Sequence, residues 1–275
     1  MRRPIAVIVW ACVALFLVNL FAMMAAVITS SFATRWFATW LPAGFTPSWY
    51  AAAWSEFGLA QIITVTLEIA LACVAISVAL GVPAAYVLAR RRFPGRRFVV
   101  LLFLLPLLVP PITYGIPLAT VLYKVHLAGH LPGVILANLV PSIPFVILVM
   151  TPFIEQIDPR IEAAARMCGA GTFRMFARIL LPLLVPGILA ASVMVLVRTV
   201  GMFELTFFTA GPDSQTLVVA LYYSVFAAGI RATQEIDAMA VLYMLMTLVL
   251  LIVALRFVNP TQLVGGRVAE ENPAA

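Results

Sequence analysis

Apolar residues in this chain run on for whole helix lengths, with neither the alternation of a half-buried strand nor the three-to-four spacing of a surface helix. Crossing a hydrocarbon core of roughly 30 Å takes about 20 consecutive apolar residues in a helix. Runs of that length cover about Ile5 to Thr29, Ile62 to Leu88, Phe98 to Tyr123, Leu131 to Ile154, Leu183 to Phe208 and Ala238 to Val258. A further apolar stretch, Leu217 to Gly229, is too short to span and is expected as a half-helix or interfacial segment. The pattern therefore predicts an all-α polytopic membrane protein. Six transmembrane helices form a single domain over residues 1–275, and the longest inner loop, residues 155–182, lies between spans 4 and 5. The third run contains Pro106, Pro110 and Pro111, then Gly115 and Pro117, so a kinked or broken helix is expected there. Such backbone is tolerated at membrane depth only beside protein or a water-filled path.

Composition agrees: of 275 residues 64% are hydrophobic and 10% charged, too little polar surface to clothe a water-soluble globule. The arginines then orient the spans. They gather at Arg2 and Arg3, at Arg90, Arg91, Arg92, Arg96 and Arg97, at Arg160, Arg166, Arg174 and Arg178, and at Arg256 and Arg267. With six spans all of these fall on one side, which the positive-inside rule makes cytoplasmic, together with both termini. Only Arg35, Lys124 and Arg231 are left for the outer loops. The net charge of +6 is thereby explained by topology, and no nucleic-acid partner is expected. The first run exceeds the about 7–15 residues of a signal-peptide core, so it is read as a retained anchor. Trp36, Trp40, Trp49, Tyr50 and Trp54 crowd the outer segment after it, as expected of rings settling at headgroup level. Cys12, Cys73 and Cys168 have neither disulfide nor metal-ligand spacing and are expected to pack.

The inner loop, EQIDPRIEAAARMCGAGTFRMFARILL, carries the most information. Asp158 followed by Pro159 starts a helix, Ile161 to Met167 continues it with strong helix formers, and Gly169 to Gly171 break it. A second helix is expected from Thr172, with Phe173, Phe176 and Ile179 or Leu180 on one face, Arg174 and Arg178 on another, and its end before Pro182. By chemistry alone this amphipathic hairpin could lie on lipid or insert into a partner's groove.

The loop resembles the coupling loop of permease subunits in type I ABC importers, whose signature is Glu-Ala-Ala, three residues, Gly, nine residues, Ile, one residue, Leu-Pro. Ala164, Ala165, Gly169, Ile179, Leu181 and Pro182 fill their slots. Ala163 occupies the acid's slot with Glu162 one position ahead. AAYVLARRRFPGRR after the second span and FFTAGP after the fifth are similar to stretches of carbohydrate and polyamine permeases. The resemblance implies an inner-membrane, multi-pass subunit that pairs with a second permease. Its Glu162 to Ala165, Gly169, Ile179, Leu181 and Pro182 would engage a cytoplasmic ATPase dimer, and an extracytoplasmic solute-binding protein would deliver the solute. ATP and magnesium would belong to the ATPase, and this chain would bind no cofactor.

Among the remaining polar residues Arg198 stands out, because a charge within a span is a functional hypothesis by default. It either faces the translocation path or pairs with Glu204 or Glu68, and all three are candidate path residues. The resemblance points to a sugar or sugar-like solute, possibly anionic, with a polyamine importer as the alternative. His126 and His130 have helical i, i+4 spacing but fall in a short outer loop, so no metal site is expected. No phosphate-binding GxxxxGK[ST] stretch, H-E-x-x-H or nucleophile elbow is present, so no catalytic residue is expected and the chain is not read as an enzyme. The main rival reading is an ion-coupled secondary transporter or channel working alone, and a structural or signalling membrane subunit is the second.

Overall fold

A computed structural model describes residues 2–36, 39–226 and 232–257, with no side chains described for 2–5. Arg231, Arg267 and the tail after Asn259 therefore lie outside the described residues. In chain order the helices are α1 (Arg2–Phe32), α2 (Ser48–Glu56), α3 (Leu59–Arg90), α4 (Arg96–Leu108), α5 (Pro111–Lys124), α6 (Leu131–Glu155) and α7 (Pro159–Met167). There follow α8 (Thr172–Met175), a π-turn (Phe176–Leu180), α9 (Leu181–Val200), α10 (Glu204–Thr209), a short 3₁₀ turn (Pro212–Ser214), α11 (Leu217–Phe226) and α12 (Thr233–Phe257). Five stretches are long and apolar enough to span, and the bent pair α4 and α5 brings the number to six.

The third span breaks where its prolines fall. A residue before proline is pushed out of the helical region, and both Val109 (ψ 132°) and Pro110 (ψ 133°) are extended. Pro111 then restarts the helix at its first position, where the missing N–H costs nothing, and the two halves meet at 99°.

The fifth span differs from expectation at both ends. The amphipathic helix does not stop before Pro182; Thr172–Val200 is one 29-residue helical stretch. Pro182 has no N–H to give, and the wide turn just before it, where the Leu181 N–H bonds the Phe176 carbonyl five residues back, accommodates the ring without breaking the rod. At the outer end the span stops at Val200 rather than Phe208, because Gly201 caps it and the chain turns before α10. Glu204 is thus the first residue of a separate short helix. The 217–229 stretch does form the short helix α11, up to Phe226.

By contacts the chain divides into two compact units. In the unit of residues 1–62 and 220–246, the outer segment folds back on the end of α1. Trp49 Nε1 donates to the Ala33 carbonyl, the Tyr50 and Ser31 hydroxyls share a hydrogen bond, and Ser30 Oγ donates to Asp237 Oδ2 on α12. The unit of residues 63–219 and 247–275 has the principal core, where Val82, Ala85 and Leu88 of α3 meet Val146, Met150 and Ile154 of α6 and Leu184, Ala191 and Val195 of α9. Hydroxyls in the spans bond back to their own helices, as with Ser142 to Asn138, Thr151 to Ile147 and Ser192 to Ile188, so none of these three faces hydrocarbon bare.

The α6 and α9 backbones approach closely because Gly187 has no side chain: a Cβ there would stand 2.8 Å from the Phe153 ring. Gly187→Leu is expected to cost about 1–3 kcal/mol through overpacking, read as a lower unfolding temperature in detergent. Adding Phe153→Ala should restore part of it. A Gly187→Leu chain as stable as wild type would show that the contact carries no weight.

Candidate coupling site and solute path

The inner loop is built from its caps upward. Asp158 accepts from the Arg160 N–H at 2.8 Å, Pro159 fills the first helical position, and α7 starts in a fixed phase. At the far end Gly169 adopts φ +80°, a conformation side chains disfavour. The Gly169 N–H bonds the Arg166 carbonyl and the Ala170 N–H the Ala165 carbonyl, the paired closure of a Schellman end. The turn reverses the chain into α8.

That phase turns Glu162 inward. It is 6% exposed, takes Arg90 Nε at 2.7 Å on Oε1, and takes the Tyr86 hydroxyl at 2.8 Å on Oε2. Arg90 reaches further, donating Nη2 to the Ile157 carbonyl at 2.6 Å. Tyr86 also lies edge-on to Phe176 of the π-turn, ring centroids 5.5 Å apart. The C-terminal end of α3 thereby grips both the hairpin's first helix and the root of the fifth span. Behind them Ala165, Met175 and Leu180 close a small core with Ile157, Ala170 and Ile179. Sequence reasoning missed Tyr86 and Arg90; their i, i+4 spacing on the last turn of a span was the signal available.

The remaining coupling candidates divide by exposure. Ala163, Ala164, Leu181 and Pro182 are exposed, Ala165 is buried and Ile179 half-buried. Phe173 does not share the buried face with Phe176 as expected, because Met175 and Leu180 occupy it; Phe173 is instead 85% exposed. Met167, on the other side of the Gly169 turn, is 84% exposed. The hairpin thus shows two large apolar side chains to the outside and binds its acid internally. A recess of about 270 Å³ opens beside the brace, lined by Tyr86, Arg90, Arg91, Pro159, Glu162 and Arg166.

The intramembrane arginine is placed differently from one expectation. Neither Glu204 nor Glu68 lies within ion-pair distance of it: among the described residues Arg198 makes no salt bridge, and its guanidinium sits 5.6 Å from the Phe145 ring centroid. Gly201–Phe203 separate it from Glu204 along the chain, and Glu68 is exposed on α3. Tyr114 of the broken span lies within electrostatic reach of both Arg198 and Glu204. The hydroxyls of Tyr114 and Thr199 and the Asn138 Oδ1 are buried with no hydrogen-bond partner among the described residues. Asn138 Nδ2 meets Thr206 Oγ1 of α10 at 3.3 Å. The segment after α10 is stitched to the outer loop through Gly129 N–H to the Thr209 carbonyl and Ser214 Oγ to the Gly129 carbonyl.

A bundle of apolar helices with a helical hairpin braced on one face and a polar cluster at the far end of a span is the membrane subunit of a transporter. The chain belongs to the family of binding-protein-dependent transport system inner membrane components, whose model matches residues 77–260. It is a type I ABC importer permease, a multi-pass inner-membrane protein, which sets aside the self-sufficient secondary carrier. Relatives include a probable molybdenum ABC transporter permease of Haloferax volcanii, 34% identical over 57% of this chain and 61% of that one. The molybdenum transport system permease ModB of Escherichia coli is 30% identical over 59% of this chain and 78% of its own length. The trehalose transport system permease SugB of Mycobacterium tuberculosis is 33% identical over 48% of each. The fold is similar to that of a bacterial ABC transporter involved in the import of alginate, with TM-score 0.77, 16% identity, and 94% of this chain and 97% of that one covered.

Removing one member of a buried ion pair typically costs about 3–5 kcal/mol. Glu162→Ala is therefore expected to release α7, raising amide exchange over residues 159–167 at least tenfold while the spans stay protected. Combining it with Arg90→Leu should recover part of the protection, and unchanged exchange in the single variant would remove the brace.

Proposed function

We propose that this chain is one of two membrane subunits of an ATP-driven importer whose hairpin is the contact through which nucleotide-driven movement reaches the bilayer. The observation that carries the reading is the exposed pair Met167 and Phe173 astride the Gly169 turn, apolar knobs presented by a hairpin braced from behind. Such a pair fits a hydrophobic cleft on a cytoplasmic ATPase dimer, which would hold the ATP and magnesium. The arginine-rich loops and both termini face the cytoplasm on this reading, and an extracytoplasmic binding protein hands over the solute.

The solute is a small polar anion. Arg198, free of any carboxylate among the described residues and backed by the face of Phe145, supplies a cation beside buried hydroxyls, and repels a polyamine. Likeness to molybdenum permeases supports a compact oxyanion. A sugar derivative bearing a carboxylate is the second reading, supported by likeness to the trehalose permease and by hydroxyl partners at Tyr114 and Thr199.

Two measurements test this. Gly169→Pro cannot adopt φ +80° and loses the N–H that closes α7. It should abolish co-purification of ATPase subunits, or uncouple their hydrolysis from uptake; intact coupling would contradict the hairpin's role. A hydrogen bond to a charged group contributes about 1.5–3 kcal/mol, so Arg198→Ala should weaken uptake of the anion about 10–100-fold in proteoliposomes. Uptake at the wild-type rate and affinity would remove Arg198 from the path.

A further inference from the structure

A second feature of the cytoplasmic side has no part in coupling. Between the inner halves of α4 and α6 lies a cleft of about 200 Å³, walled by Leu88, Val100, Phe103, Ile147 and Leu148 and ended by Arg96. Arg96 also lines a neighbouring, more polar recess of about 360 Å³ with Arg92, Phe93, Gly95 and Arg97. One guanidinium thus joins an apolar slot to a basic cup.

The charges of that cup are scarcely used within the protein. Arg96 meets Glu155 at 3.5 Å with both side chains well exposed, a pairing that contributes little. Arg92 and Arg97 make no ion pair among the described residues. Keeping this loop in the cytoplasm explains positive charge but not its placement at the mouth of an apolar slot. The surrounding surface of α4 is hydrocarbon as well, with Phe98, Leu101, Leu102 and Leu105 all exposed. Thr151, whose hydroxyl already donates to the Ile147 carbonyl, is the one polar side chain besides Arg96 among the residues lining the slot, and a free phosphate would leave the slot unfilled.

We propose that slot and cup form one binding site for an acidic phospholipid of the inner leaflet. One acyl chain lies along Val100, Phe103 and Leu148, and the phosphate is held by Arg92, Arg96 and Arg97. The site joins apolar walls to a cluster of arginines at the start of a span, and charge complementarity selects an anionic lipid over a zwitterionic one. Neither Glu162 nor Arg198 lines it, although Leu88 stands between Tyr86 and Arg90 on the same helix.

The test is native mass spectrometry of the full chain, purified in detergent with whatever subunits accompany it and given phosphatidylglycerol or phosphatidylcholine of identical acyl chains. The wild type should retain phosphatidylglycerol in preference, and Arg96→Gln should lower that retention about fivefold. Leu148→Trp, which fills the slot and leaves every charge in place, should lower retention of phosphatidylglycerol while thermal unfolding in detergent stays cooperative. Equal retention of the two lipids, or wild-type retention by Leu148→Trp, overturns the proposal. Displacement of the lipid by inorganic phosphate reassigns the cup to a free anion and overturns it as well. So does a photoreactive side chain at position 148 that captures a second permease instead of lipid.

Discussion

A carboxylate at the rim of a membrane bundle must either stay in water or be fully matched, and Glu162 is matched. The guanidinium of Arg90 and the hydroxyl of Tyr86 take one oxygen each, and Arg90 spends a further donor on the Ile157 carbonyl. Those contacts join residues 67 to 76 positions apart and convert a short surface helix, too short to be stable alone, into part of the bundle. Everything the hairpin does follows from this. With the acid bound inward, the helix has only one face left to show, and that face ends in Met167.

The same economy appears where backbone is irregular. Pro110 and Pro111 divide the third span at a broken joint and Pro182 follows a wide turn, whereas Pro106, Pro117, Pro141, Pro144 and Pro152 lie inside helices whose backbone runs through them. Close approach supplies the rest of the stability, since without a strong hydrophobic drive between helices in lipid it is packing that holds α6 to α9. The polar end of α9 is the exception, with the Tyr114 and Thr199 hydroxyls buried and unpaired among the described residues.

Much of this was legible in the residues. The apolar runs, the break at Pro110 and Pro111, the Asp158 cap and the Gly169 turn are local matters of hydropathy and backbone sterics, and helices, break, cap and turn appear in the structure at those places, though with different span ends. The end of the fifth span was not, because Phe203 to Phe208 are as apolar as the span itself, and only the turn at Gly201 shows that they leave it. Continuity through Pro182 was hidden for the opposite reason: a proline reads as a stop, and its cure is a backbone pattern rather than a residue type. The partners of Glu162 were invisible to a one-dimensional reading, since Tyr86 and Arg90 belong to another span. That Arg198 forms no ion pair among the described residues was equally hidden, for spacing along the chain does not show whether Glu204 or Glu68 comes within reach.

The wide turn at Phe176–Leu180 adds a constraint of a different kind, one of phase. Because the helix from Thr172 to Val200 is unbroken, the number of residues between bilayer and hairpin decides which way the hairpin looks. Deleting one residue there would leave the span seated in lipid but swing Phe173 around the axis by about 100°. Exposed side chains along that stretch can change with small effect, whereas its count and its buried Met175 and Leu180 cannot.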